Sequence, residues 1–157
     1  MIEFKRILAP TDLSPFGEVG LRAAADLANR LGAAVTLFHV VPEGELEALA
    51  NAHQPRHPVD LIYQDLEAAV LDQFLRVVAP EVRRGLRVEP LVTVGAPAVE
   101  ILRAAQLKGI DMIVMGTHGR TGLARVVVGS VAEQVVRKAP CPVLTVRPAE
   151  VLAGAGA

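Results

Sequence analysis

Apolar residues in this chain fall into two alternating patterns: short, nearly unbroken runs, and longer stretches where they return every three or four positions. The first pattern suits strands buried on both faces; the second suits amphipathic helices. Residues 2–9 read as a strand, which Pro10-Thr11-Asp12-Leu13-Ser14-Pro15 then breaks. A helix follows through Val19, Leu21, Ala24, Ala25, Leu27, Ala28 and Leu31, with Gly32 placed to stop it in a left-handed cap. Residues 33–41 form a second apolar run. Residues 42–58, with Gly44, His53, Pro55 and His57, show no sustained period and read as a surface excursion with room for a partial helix. From 59 to 84 the positions Leu61, Ile62, Leu66, Ala69, Val70, Phe74, Leu75 and Val78 predict a long amphipathic helix, disturbed at Pro80 and ended by Gly85. The remaining elements are a strand over 86–94, a helix over 98–107 closed by Gly109, a strand over 110–115 that is apolar apart from Asp111, a short helix over 130–138, and a strand over 143–147.

Strands that alternate with helices, and that are themselves almost continuously apolar, predict an α/β fold: a parallel sheet with helices on both faces. No internal repeat or linker interrupts the order, so residues 1–148 are expected to form one domain and residues 149–157, which end Ala-Gly-Ala-Gly-Ala, a disordered tail. Composition adds that the core must be aliphatic, because 52% of residues are hydrophobic and only 3% aromatic.

Charge narrows the partners. With 16 Lys+Arg against 17 Asp+Glu, the chain lacks the basic footprint of a nucleic-acid or anionic-membrane binder. No apolar run approaches the ~20 residues of a spanning helix, and the first residues lack the order of a signal peptide; the expected location is the cytoplasm. Cys141 is the only cysteine, which excludes an internal disulfide and a cysteine-based zinc cage. Lying between Pro140 and Pro142, it is expected to be a small core or strand-start residue. His53 and His57 sit in an irregular stretch, and His39 sits in an apolar strand where a hydrogen-bonded core position is expected, so no metal site is predicted.

The segment after the fourth strand carries the chemistry. Glycines fall at 116, 119, 122 and 129, followed by Ser130 at a helix start. A loop that leaves the carboxyl end of a parallel strand and enters a helix can turn backbone N–H groups toward an anion. Neither the P-loop ending nor the dinucleotide spacing is present, so spacing alone leaves open a glycine-rich structural turn and an anion-binding loop. Asp12, directly after the first strand, reads either as a ribose-binding carboxylate at the carboxyl end of the sheet or as a helix cap.

Taken together, Ile7-Leu8-Ala9-Pro10-Thr11-Asp12-Leu13-Ser14, Leu37-Phe38-His39-Val40, Ala139-Pro140-Cys141-Pro142-Val143-Leu144 and the glycine segment resemble the ATP-binding branch of the universal stress protein family. That branch is recognised by Gly, two residues, Gly, nine residues, Gly and Ser or Thr, a spacing met by Gly116, Gly119, Gly129 and Ser130. The resemblance implies an open, doubly wound sheet of five parallel strands in the order 3-2-1-4-5, and a homodimer formed through the last strand. It also implies bound ATP, accompanied by Mg²⁺. Gly119, Gly129 and Ser130 would hold the phosphates, Pro10, Thr11, Asp12 and Val40 would receive adenine and ribose, and Met115, Gly116, His118 and Val131 would complete the wall. Arg120 would pair with phosphate or solvate the loop.

Phosphoryl transfer needs a metal clamp and a group orienting the attacking water, yet residues 116–130 contain no acid. The expected role is therefore a nucleotide-dependent switch in a stress response, read by a protein partner the sequence does not name, with no catalytic residue assigned. A slow ATPase or nucleotide-transfer enzyme, and an interaction module with a vestigial nucleotide site, are the alternatives.

Overall fold

The computed structural model describes residues 1–52, 58–118 and 129–148. Five parallel strands make one sheet: β1 (Arg6–Pro10), β2 (Ala34–Val41), β3 (Arg87–Val94), β4 (Met112–Gly116) and β5 (Val143–Val146), in the order β3-β2-β1-β4-β5. The helices are α1 (Glu18–Leu31), α2 (Glu45–Ala52), α3 (Val59–Val77), α4 (Pro80–Arg83), α5 (Pro97–Leu107) and α6 (Ser130–Lys138). A 3₁₀ turn at Pro15–Gly17 leads into α1. The winding thus reverses between β1 and β4, as the family resemblance implies.

Side-chain alternation along buried strands divides the core in two. Ile7, Ala9, Val35, Leu37 and Val114 face α1 and α3, where Leu21, Ala24, Ala25, Ala28, Val70 and Phe74 meet them. Leu8, Phe38, Val40, Ile113 and Met115 face α5 and α6, against Ala98, Ile101, Ala105, Ala132 and Val135. The few aromatics are shared out, with Phe74 buried in one layer and Phe38 in the other. On α1 the small residues bring the helix close to the sheet: a Cβ on Gly20 would lie 2.8 Å from the Gly116 nitrogen. Gly32 caps α1 in the left-handed region (φ 66°), as its position in the pattern predicts.

Several boundaries differ from the sequence reading. β1 starts at Arg6 rather than residue 2, and Ile2 is exposed. The excursion after β2 contains a two-turn helix, α2, none of whose residues is buried; His53 and His57 lie outside the described residues. The long helix stops at Val77 because Val78 turns extended (φ −101°, ψ 124°), and Pro80 starts α4 as a new first turn. The steric demand of Pro80 on Ala79 accounts for the break, since a residue before proline avoids helical backbone angles. β4 starts at Met112, because Asp111 is used beforehand: its carboxylate accepts the Lys5 and Arg6 N–H groups at 2.9 and 2.8 Å.

Polar contacts at the amino end of the sheet give a pH-dependent contribution. The Lys108 ammonium, 3.1 Å from Glu89, holds that carboxyl below the usual carboxylate range against the opposing effect of burial, and the Thr36 hydroxyl helps. A lowered folded-state pKa adds stability above the unfolded value and loses it as pH falls through the folded one. Glu89→Gln is therefore expected to cost under ~1 kcal/mol at pH 7, in keeping with an exposed pair, and the deficit should shrink as pH falls below the ordinary carboxylate range and vanish once it passes the lowered folded-state value. Urea titrations of both proteins at several pH values measure this.

Cys141 lies just before β5 and packs partly against the second core layer. Burial, with the Asp111 carboxylate adding to it, pushes the thiol up; a backbone hydrogen bond at Ile113 opposes the shift. Because the thiolate is the reactive form, the folded protein at pH 8 is expected to react with iodoacetamide several-fold more slowly than the urea-unfolded chain. A rate equal to that of the unfolded chain would contradict this placement.

Candidate functional site

Open parallel sheets collect ligands outside the carboxyl ends of strands where the winding reverses, and a cleft of about 260 Å³ lies there, between β1 and β4. Pro10, Thr11, Asp12, Val40, Met115, Gly116, His118, Gly129, Ser130 and Val131 all line it. Gly119 and Arg120 lie outside the described residues, as do Gly122 and the tail 149–157. A larger concavity of about 760 Å³ opens at the opposite end of the sheet, beside Arg6, Arg87, Glu89 and Lys108. The smaller cleft has the features of a ligand site: apolar walls, a carboxylate and the start of a helix converge on it.

The β1–α1 loop forms one side. The Thr11 N–H donates to the Phe38 carbonyl at 2.8 Å, continuing the β1–β2 ladder by one residue. His39, buried as expected, has Nδ1 2.8 Å from the Thr11 carbonyl oxygen; that oxygen only accepts, so the proton is on Nδ1. The Asp12 carboxylate accepts both the N–H (3.0 Å) and the hydroxyl (2.5 Å) of Ser14 through Oδ1. It thus closes a local turn and is not the helix cap considered from the sequence, since the residues before the 3₁₀ turn and α1 make no side-chain cap bond. Leu13, between these two residues, has φ 65°; among the described residues no other non-glycine has positive φ. Such a residue stores ~1–3 kcal/mol of strain.

The second side is the turn from β4 toward α6. The Thr117 N–H donates to the Val146 carbonyl at the end of β5 (3.0 Å), and the Thr117 hydroxyl lies 2.8 Å from His118 Nδ1. Both side chains are buried. Gly129 returns to this turn and donates its N–H to the Thr117 carbonyl. Its backbone is extended (φ −67°, ψ 159°), so glycine is required here for space rather than for an unusual angle: a Cβ would lie 2.8 Å from that same carbonyl. Gly116 is equally crowded, with a Cβ position 2.9 Å from the Phe16 carbonyl. Ser130, Val131 and Ala132 then bring the first turn of α6, with its partial positive charge, to the cleft.

Some contributors were not read from the sequence. Phe38, Pro97 and Ile101 make the apolar wall with Val40 and Met115. Pro97 starts α5 directly after a parallel strand, and that position was a signal that it reaches the same end of the sheet. Gln73 of α3, buried behind the loop, was missed altogether: Thr11 donates its hydroxyl to Gln73 Oε1 (2.8 Å), and Gln73 Nε2 donates to the Ser14 carbonyl (3.1 Å). Thr11 therefore lines the cleft with its hydroxyl bonded to Gln73.

This arrangement can hold a planar apolar group against the Val40–Ile101 wall, a hydroxylated group at Asp12, and an anion at the start of α6. Comparison with known proteins places the chain among relatives of similar length. The family model described as Universal stress protein family matches residues 3–147. Universal stress protein MJ0577 of Methanocaldococcus jannaschii is 30% identical over 156 residues, covering 93% of this chain and 96% of that relative. The MJ0577 structure aligns with a TM-score of 0.71 over 94% of this chain and 98% of its own. UspA from Lactobacillus plantarum is 25% identical with a TM-score of 0.71, covering 92% and 99% respectively. More distant neighbours of the same fold were solved in complex with cAMP (19% identity, TM-score 0.61, covering 92% of this chain and 97% of that one) and dAMP (an Archaeoglobus fulgidus protein, 24%, 0.59, covering 92% and 98%).

Proposed function

Because the chain belongs to the universal stress protein family, we propose that its cleft binds ATP and that the bound nucleotide acts as a switch in a stress response. The observation that carries this is the crowding at Gly129: the glycine of the spacing Gly116-x-x-Gly119 followed by Gly129-Ser130 sits where a side chain would collide with Thr117, beside the first turn of α6. That cradle suits phosphates, which backbone N–H groups at a helix start receive. Asp12 takes the ribose hydroxyls and the Phe38–Val40–Ile101 wall takes adenine. Mg²⁺ arrives with ATP and is held chiefly by the phosphates and water, as this ion usually is.

Binding rather than turnover is the reading because Asp12 is the one carboxylate among the described lining residues, and it is already hydrogen-bonded to Ser14. The switch follows from connectivity. Thr117 joins the cleft to the end of β5, whose Leu144 is 41% exposed at the sheet edge, so nucleotide that tightens the Thr117–Gly129 turn also acts on that edge. Two copies pairing through β5, in the cytoplasm, and a protein partner that reads the occupied state complete the proposal. Hydrogen–deuterium exchange with and without Mg-ATP tests it: protection is expected over residues 11–17, 129–135 and 143–146. Unchanged exchange over all three segments at saturating nucleotide would contradict it.

A further inference from the structure

Resting on the ATP-binding reading of the cleft, we propose that Gln73 is a positioning residue for nucleotide recognition, a clamp on the strained loop that presents Asp12. Glutamine is seldom fully buried, yet Gln73 is 2% exposed on α3, a helix that supplies no residue to the cleft lining. Its amide is used at both ends. Oε1 accepts the Thr11 hydroxyl and Nε2 donates to the Ser14 carbonyl, so its two bonds fall on either side of Asp12 and Leu13. The Thr11 hydroxyl, oriented by Gln73, in turn accepts the Leu13 N–H at 3.1 Å.

Leu13 is the reason such a clamp is needed. A leucine at φ 65° reverts to a relaxed backbone unless its surroundings hold it. Reversion would swing Asp12 and undo its turn with Ser14. The Ser14 carbonyl also accepts the Gly17 N–H at 3.1 Å, so Gln73 ties the loop to the turn that starts α1. Gln73 thus fixes where the carboxylate meets a ribose while touching no part of the nucleotide itself. No other amide chemistry at position 73 is equivalent: leucine removes both bonds, and glutamate keeps the one to Thr11 but presents an acceptor to the Ser14 carbonyl.

The test compares ATP with 2′,3′-dideoxy-ATP, which lacks the hydroxyls Asp12 reads, in calorimetric titrations of wild type, Gln73→Leu and Gln73→Glu, with folding checked by urea unfolding. Wild type is expected to prefer ATP. Gln73→Leu should lose about tenfold on ATP and less than about twofold on the dideoxy compound, as expected for one misplaced charge-assisted contact; Gln73→Glu, which sets a buried carboxylate against the Ser14 carbonyl, should lose at least as much on ATP. A folded variant that retains the wild-type preference overturns the clamp, and so does an equal loss on both nucleotides, which would make Gln73 a determinant of the fold alone. Failure of wild type to bind ATP at all removes the underlying reading and this inference with it.

Discussion

Replacing Gly129 with Val should weaken ATP binding by about a hundredfold or more while the protein remains folded. The Gly129 backbone angles are ones valine adopts freely, so the effect is steric. The Cβ would lie 2.8 Å from the Thr117 carbonyl oxygen, an oxygen held by the Gly129 N–H it accepts, in a residue whose own N–H is bonded to Val146 at 3.0 Å. The helix start is expected to move, carrying Ser130 and Val131 out of the cleft. Overpacking of this kind costs ~1–3 kcal/mol of stability; the affinity falls separately because the phosphate cradle is displaced, and a hundredfold loss corresponds to ~2.7 kcal/mol of binding. Gly129→Ala, with the Cβ alone, should show a smaller loss. Calorimetric titration of both variants, with circular dichroism to confirm folding, measures the series. A valine variant that binds like wild type would remove the cradle from the account.

The second large effect is on stability. Phe74→Ala should cost ~3–5 kcal/mol, since the ring is 1% exposed in the layer between α3 and the sheet and its removal leaves a cavity there. In a chain of this size that lowers the melting temperature by roughly 10 °C. Saturating nucleotide should restore part of it, because a ligand at one hundred times its Kd adds ~2.7 kcal/mol to the native state. A loss below ~1 kcal/mol by urea unfolding would mean that the layer repacks around the gap.

How much of this could be read from the chain depended on how far each signal was local. The central strands β1, β2 and β4 were legible because strands buried on both faces are almost continuously apolar, the edge strand β3 because its apolar positions alternate loosely, and the cap at Gly32 because glycine follows the last periodic position of α1. α2 was harder: eight residues, Glu45–Ala52, none buried, leave only a weak periodic signal beside Gly44. The end of α3 was displaced because the apolar pattern continues through Val78 while Pro80 acts backward on Ala79. Within the site, Pro10, Asp12, Gly116, Gly129 and Ser130 follow or precede regular elements in ways a motif captures. Gln73 was not recoverable, since a glutamine in a long amphipathic helix reads as part of the solvated face until the β1–α1 loop is seen to cover it. The strain at Leu13 was equally hidden, because leucine has no preference for the left-handed region that would announce it.

The measurement that bears most directly on the central claim is calorimetric titration of the purified wild-type chain with Mg-ATP, beside AMP. Saturable binding of one ATP per chain is expected, with weaker binding of AMP because the α6 phosphate cradle is only partly used. Absence of any binding at millimolar ATP, in protein that carries no copurified nucleotide, would contradict it and leave the cleft without its proposed ligand.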